Sequence, residues 1–536
     1  MTGEDSDGTL TRFFLVGLTG GILAALVQFT VTRALDLPYP PEAIFAVLIS
    51  PVPGSIQSIM VEVFREYAKY TAFASATFLY SLLYALVGVA IGHLTRSGHT
   101  GKVAVLVGAS VPSAAGLLLE SSLAARASAL QSLAGWVTTT LVILAVNLSY
   151  SLLVISQARW WPDLLAHKAL KPSAASRRQF LIRAGMVAAG LALLALAARA
   201  ASSFITRQPL VRSNRPIPIN SEPIKVDSEA LAEIFRDPRI ADLVGSEVTN
   251  NRIFYTVDIN PLPPRLDFDA WSLKVGGKVR NPLTIDKARL LTLPTKDQYA
   301  TLECISNTIY PPGALISNAK WTGVPLATVL REAEVSPEAK YIVFHCADGY
   351  TVGIPLARAM QPEAILAYKM NDELLPREHG FPLRALVPGI YGMMNAKWVL
   401  QIEAVDYVYF GYWQRRGWSN DARIKTTSLI CYPDAGAQIT DASLPIAGIA
   451  FAGDRGISKV EVSTDGGKLW TDATLKKPLS PYAWVLWTHR WKPPGKGEYV
   501  IMVRAYDAAG NVQEAKITEP FPEGASGYHS IKVSVA

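Results

Sequence analysis

The chain has 536 residues, half of them hydrophobic, with a mean hydropathy of +0.21 and a formal net charge of +7. At roughly 100–200 residues per domain that length makes three or more domains, and the hydropathy excludes an ordinary wholly soluble chain. The charge is mild and forms no basic stripe interleaved with aromatics, which excludes a nucleic-acid partner. Only Cys304, Cys346 and Cys431 are present, without CxxC spacing, so neither a disulfide framework nor a zinc site is expected.

Five apolar runs come first, at about 12–32, 42–61, 71–94, 103–123 and 132–157. Each approaches the roughly 20 residues that cross a bilayer as a helix. The second carries "SPVPGS" at Ser50–Ser55, which breaks or kinks a helix and makes this run a candidate re-entrant segment. The basic loop Thr95–Lys102 and the basic stretch after the fifth run should lie in the cytoplasm. Haem is not expected here, because only His93 lies near an apolar run. Glu120, near a run's end, reads better as an interfacial residue than as a functional intramembrane charge. These helices read as an anchor or a platform for a partner.

"SRRQFLIRAG", Ser176 to Gly185, precedes the apolar stretch Ala184–Ala198 and resembles the twin-arginine export signal. A plain positive flank is the competing reading; the Phe-Leu spacing favours the signal. Only 15 residues separate Arg183 from Arg199, a length that suits a signal's apolar core better than a span. An A-x-A site at Ala198–Ala200 permits cleavage, but snorkelling arginines extend the run, and a tethered product is the expectation. Everything after about residue 205 then lies outside the cytoplasmic membrane of a prokaryote.

Thr206 to Pro223 is Pro-rich and aperiodic, hence a linker. A mixed stretch follows, with strand-like "NRIFYTVD", "WSLKVGG", "ATLEC" and "KYIVFHC" and a helical "PLATVLREAEV" opened by Pro325. Its irregular order predicts an α+β domain. From about Ile424 short alternating strands with frequent turns predict about seven strands, an immunoglobulin-like β-sandwich of the recognition or dimerisation kind. Cys431 there reads as a buried thiol.

Cys304 ends the strand-like "YATLEC" and is followed by small polar residues. Three readings compete: a core thiol, a nucleophile needing a base such as His345 or His379, and a single soft ligand for a metal whose other ligands come from elsewhere.

"TLECISN", "KWTGVPLATVL", "GYTVGIPLARAM", "LPREHGFPLRALVPGIYGMMNAKWV" and "YWQRRGW", in that order, resemble the sulfite oxidase family of molybdopterin-dependent oxidoreductases. The resemblance runs from about Asn250 to Trp418 and continues into the family's C-terminal dimerisation domain. It implies molybdenum bound by Cys304 and by the dithiolene of one molybdopterin. It implies Asn251, His379, Arg384 and Lys397 as cofactor contacts and Tyr350 facing the metal. Arg384 lies in the apolar context "PLRALVPG", where a buried guanidinium needs an anion. Asp348 suits either the site or a turn.

Departures bear on substrate. Family sulfite sites are rich in arginine; here Val257, Thr308 and Ile309 stand at two such places, while Arg415 and Arg416 survive as anion-binding candidates. The expected fold is multi-domain: N-terminal all-α transmembrane helices (1–160), a loop with the export motif and last apolar segment (161–205), a linker (206–245), the α+β molybdopterin-binding domain (246–422) and the sandwich (423–536). The expected activity is oxygen-atom transfer on a small sulfur or nitrogen oxyanion or related compound, with sulfoxide or methionine-sulfoxide reduction, or a non-enzymatic surface binding protein, as alternatives. Electrons should pass to a soluble cytochrome or a quinone-linked membrane protein. The resemblance adds a homodimer through the sandwich.

Overall fold

The computed structural model describes residues 5–34, 39–49, 68–96, scattered positions from 52 to 56 and 110 to 150, and 233–536 apart from 261, 310, 311 and 313. Of the five apolar runs, the first and third form α1 (Asp5–Ala34) and α3 (Ala68–Arg96), both long and apolar enough to cross a membrane. The second contributes α2 (Pro40–Ile49), and most of the predicted break at Ser50–Ser55 lies outside the described residues. Most of the fourth and fifth runs, and all of the export motif, lie outside the described residues. Two compact units separate, one containing these helices, the other residues 233–259 and 266–536.

In the helical unit α1 packs on α3 through Ala24, Ala25, Tyr80 and Tyr84. Buried polar side chains bond one another rather than apolar neighbours: Tyr84 donates to Asn147 Oδ1 at 2.6 Å and accepts from Gln28 Nε2 at 3.2 Å. Such bonding is what buried polar groups require where water is absent.

The second unit is β-rich. One five-stranded sheet has the order β2-β1-β10-β5-β6, made by β1 (Ser272–Gly277), β2 (Leu283–Asp286), β5 (Tyr341–Cys346), β6 (Thr351–Pro355) and β10 (Val399–Val405). Only the β1–β10 pair is parallel. The other sheet runs β3 (Lys296–Glu303), β4 (Ile316–Pro325), β7 (Ile365–Met370), β8 (Glu373–Leu374), with β9 (Arg384–Leu386) also on β7. Helix α4 (Leu326–Glu332) starts directly after Pro325, as the sequence predicts.

One expected strand is absent. The stretch 251–258 turns instead, because the Asn250 carbonyl accepts from the amides of Ile253 and Phe254 at 3.1 and 3.0 Å, and its side chain accepts from Arg252 N at 2.9 Å. An asparagine that bonds its own following backbone competes with the ladder and wins.

Nine strands, rather than about seven, follow Thr426. A four-stranded sheet, β11 (Thr427–Tyr432), β13 (Leu444–Phe451), β17 (Val485–Trp491), β16 (Thr474–Leu475), faces a five-stranded one, β12 (Gln438–Ile439), β19 (Ser530–Val535), β18 (Gly497–Asp507), β14 (Ile457–Ser463), β15 (Thr471–Asp472). Ile446, Val460, Trp487, Val503 and Val533, drawn from both sheets, share one core. The extra strands are two-residue ladders that alternation in a sequence does not register.

Candidate functional site

The buried end of β3 delivers Cys304. Ladder pairing runs to Glu303 opposite Ile316, and the Cys304 amide then donates to Leu315 O at 2.9 Å. Asn307 clips the loop that follows: its Nδ2 donates to Glu303 Oε1 at 3.0 Å and its Oδ1 accepts from Leu315 N at 3.1 Å. Cys304 is 6% exposed and sits 3.0 Å from Ser306 Oγ. Burial pushes the thiol pKa up, and the Ser306 bond pulls the other way. Glu303, which the sequence reading passed over, is pushed up to about 7 by burial.

Cys304 lines a cavity of about 100 Å³ together with Tyr350, His379, Arg384 and Lys397. Segments far apart in the chain meet here, and each side chain has a local reason for its place. Tyr350 follows a tight turn between β5 and β6 in which Asp348 Oδ1 accepts from Tyr350 N at 3.0 Å, so Asp348 both makes the turn and lines the cavity. The Tyr350 hydroxyl donates to Met393 O at 2.6 Å, and enclosure raises its phenol well above the ordinary value.

His379 is buried beside Phe254, ring centroids 5.3 Å apart, with Nε2 2.7 Å from Asn251 O. A carbonyl only accepts, so Nε2 carries the hydrogen. Burial drives His379 down to about 3, leaving it neutral.

Arg384 is 4% exposed and makes no ion pair among the described residues. It donates to the carbonyls of His379 (3.0 Å) and Asn395 (3.4 Å), lies 4.9 Å over the Trp321 ring, and leaves Nε without a partner. Burial lowers it to about 10. Lys397, by contrast, is paired with Asp258 and donates to Glu378 O at 3.0 Å.

The remaining sequence candidates lie elsewhere. Asn251 does not line the cavity; its amide bonds Met370 O (3.2 Å) and Asn371 (2.8 Å), and its carbonyl holds His379. Arg415 is exposed and donates to Phe410 O at 3.1 Å; Arg416 stacks 3.6 Å from the Tyr412 ring and donates to Tyr412 O at 2.7 Å. Neither lines the cavity. Their neighbours Trp413 and Trp418 do, as do Tyr255, Asp258 and Asn395, which the sequence reading did not select. Asn395 fixes the loop after β9 through bonds to Val387 N (2.6 Å) and Tyr391 O (3.1 Å). Gly392 is required beside it, because a Cβ there would fall 2.3 Å from the Tyr255 hydroxyl.

This donor set suits a metal that brings most of its own ligands together with an anion. One thiol is offered, and no cluster of three metal-ligating side chains exists among the described residues. The buried, acid-free guanidinium of Arg384 asks for a negative partner. Two protein families match in tandem: an oxidoreductase molybdopterin binding domain over residues 260–413 and a Mo-co oxidoreductase dimerisation domain over 419–535. Sulfite oxidase of Arabidopsis thaliana is 30% identical over 369 residues, 58% of this chain and 90% of that protein. The chain belongs to the sulfite oxidase family. Mitochondrial sulfite oxidases of Drosophila melanogaster and Homo sapiens are each 32% identical, covering 56% and 57% of this chain. The chain spans about three fifths of their lengths, 61% and 62%. The residues present fit the molybdenum cofactor in kind: the cavity offers one thiol, Cys304, and one buried guanidinium, Arg384, with His379 and Lys397 in the same lining.

Proposed function

We propose that this chain is a membrane-anchored, exported molybdenum oxidoreductase that exchanges an oxygen atom with a small sulfur or nitrogen compound. When bound, the cofactor supplies the two-electron chemistry: substrate and water give the oxygenated product, two protons and two electrons, or the reverse. The protein's own part is binding and positioning. Cys304 holds the metal, and Arg384 pairs with the cofactor's anionic part through N–H groups that no carboxylate occupies. His379, neutral and pinned to Asn251, presents Nδ1 as an acceptor. Tyr350 keeps its proton, held on the Met393 carbonyl, and remains a neutral hydrogen-bonding group beside the thiol. Asn251 acts by placing His379.

The sequence carries no CxxCH haem motif, so electrons pass to a separate partner in this reading, a soluble cytochrome or a quinone-linked membrane protein. The dimerisation-domain match supports a homodimer through the sandwich. Tethering rests on the lengths of α1 and α3, and export rests on Ser176–Gly185.

The observation that carries the activity is Cys304 at the wall of a cavity shared with a buried arginine that has no ion-pair partner among the described residues. The test is elemental analysis of the full chain purified from a molybdopterin-making host. About one molybdenum per chain, lost or spectroscopically altered in Cys304→Ser, is the expected result. Well-folded protein without molybdenum would return Cys304 to the core.

A further inference from the structure

The strand that leads to Cys304 has an open side, and the sandwich covers it. β3 stands at the end of its sheet, with β4 along one side. Along the other runs the stretch 480–484, which leads into β17. Ser480 Oγ donates to Tyr299 O at 2.5 Å, the Thr301 amide donates to Tyr482 O at 3.0 Å, and Trp484 N donates to Thr301 Oγ1 at 2.9 Å. The backbone groups of an edge strand need such a cover, and here the sandwich supplies it.

The same stretch reaches a second wall of the cavity. Trp484, 1% exposed, donates its indole N–H to Glu247 O at 3.0 Å, and Asn318 Nδ2 donates to that carbonyl at 2.7 Å. Asn318 Oδ1 accepts from Thr301 Oγ1 at 3.1 Å, which closes a buried ring of bonds between β3, β4, Trp484 and the segment that begins at Glu247. That segment carries Asn251, the support of His379, and then Tyr255, Val257 and Asp258 in the cavity lining. The Glu247 carboxylate is held as well. Lys476, just after β16, places Nζ 2.9 and 2.8 Å from its two oxygens, and both side chains are largely buried. Burial pushes Glu247 up and Lys476 pulls it back. A buried ion pair adds little net stability over an apolar pair, yet loss of one partner is costly, which suits the pair to fixing one arrangement.

Resting on the molybdenum reading above, we infer that the 476–484 stretch of the sandwich positions the metal-binding thiol. Lys476 and Trp484 do not line the cavity. They hold Thr301 and Glu247, and through them the strand that leads to Cys304 and the segment that walls the site. A functional side chain must be held to within about 0.5 Å of its working place, and without this stretch β3 has only β4 to hold it.

The test reads the metal's surroundings, not turnover. The full chain is purified in detergent from a molybdopterin-making host, and its molybdenum content and thiolate-to-metal charge-transfer absorption are measured; the absorption follows the geometry at Cys304. Trp484→Phe keeps a buried ring but removes the donor to Glu247. Lys476→Met keeps the apolar stem but removes the charge. Each should move the absorption and release molybdenum on dialysis about tenfold faster than the wild type, the scale on which groups supporting a metal ligand act. Lys476→Arg, which keeps a cation for Glu247, should retain wild-type values for both. Val503→Ala loosens the sandwich core from β18, in the facing sheet, and should leave both unchanged. Loaded Trp484→Phe and Lys476→Met with wild-type absorption and retention overturn the inference and leave the molybdenum reading standing. An equal effect of Val503→Ala overturns it too, since the role would then be one of general stability. If Lys476→Met does not fold, Trp484→Phe decides alone. Wild-type protein without molybdenum overturns the function proposed above, and this inference falls with it.

Discussion

His379 and Arg384 are both buried, and the cavity treats them in opposite ways. A histidine sheds its proton in an enclosed site and stays as a neutral hydrogen-bonding group; a guanidinium keeps its charge, at about 10 even after burial. The histidine's shift has a consequence for stability. Its pKa falls from an ordinary 6.5 to about 3 on folding, so between those values the unfolded chain binds the proton and the folded chain does not. Stability from this group is therefore complete above 6.5 and is lost as pH falls towards 3. Lowering pH from 6.5 to 5 should cost the native chain about 2 kcal/mol through this group. His529, pushed down to about 4 by burial, adds a loss of the same sign. In His379→Gln the acid-induced drop in urea stability, followed by tryptophan fluorescence, should be shallower by that amount; an unchanged slope would show that His379 is already accessible to protons.

Strand β13 shows why one element is apolar throughout. All eight of its residues, Leu444 to Phe451, are buried. Alternate side chains enter different cores: Leu444, Ile446 and Ala450 face the sandwich, while Ala447, Ile449 and Phe451 join the larger core that also contains Ile342, Phe344 and Val399. A strand covered on both faces reads as a continuous hydrophobic run. The sandwich is thus bound to the α+β part through a shared core, and the expected boundary at 422/423 is a change of sheet rather than a gap in packing. Gly448, in the middle of the strand, lets β11 approach; a Cβ there would lie 1.8 Å from Leu429 O and 2.8 Å from the Trp487 ring. Gly448→Ala should destabilise this unit by about 3 kcal/mol, an overpacking cost that backbone movement cannot fully relieve. Urea unfolding of the variant checks it, and a change below about 0.5 kcal/mol would mean that the two strands separate freely.

At the scale of the whole chain, the proposed export and tethering make one prediction. Replacing both Arg177 and Arg178 by lysine keeps the positive flank but removes the arginine pair. If the motif is an export signal, the part of the chain after residue 205 should become protected from protease added to spheroplasts, while α1 and α3 remain in the membrane fraction. Unchanged protease access would reduce Ser176–Gly185 to an ordinary charged flank.

The sequence alone determined the order of the cofactor-binding and dimerisation parts, the strand that leads to Cys304, and the burial of Arg384, because each depends on residues close together in the chain. An alternating run, a proline before a helix and an arginine among apolar neighbours carry their physics locally. The tertiary structure decided the rest. Lys397 and Asp258 pair across 139 residues, and His379 finds Asn251 across 128, distances over which no periodicity speaks. The same packing left Asn251 behind the cavity wall as a support, turned Arg415 and Arg416 onto their own backbone, and brought Trp413 and Trp418 to the lining in their place. Which side of a segment faces a cavity is set by what packs against it, and that partner lies elsewhere in the chain.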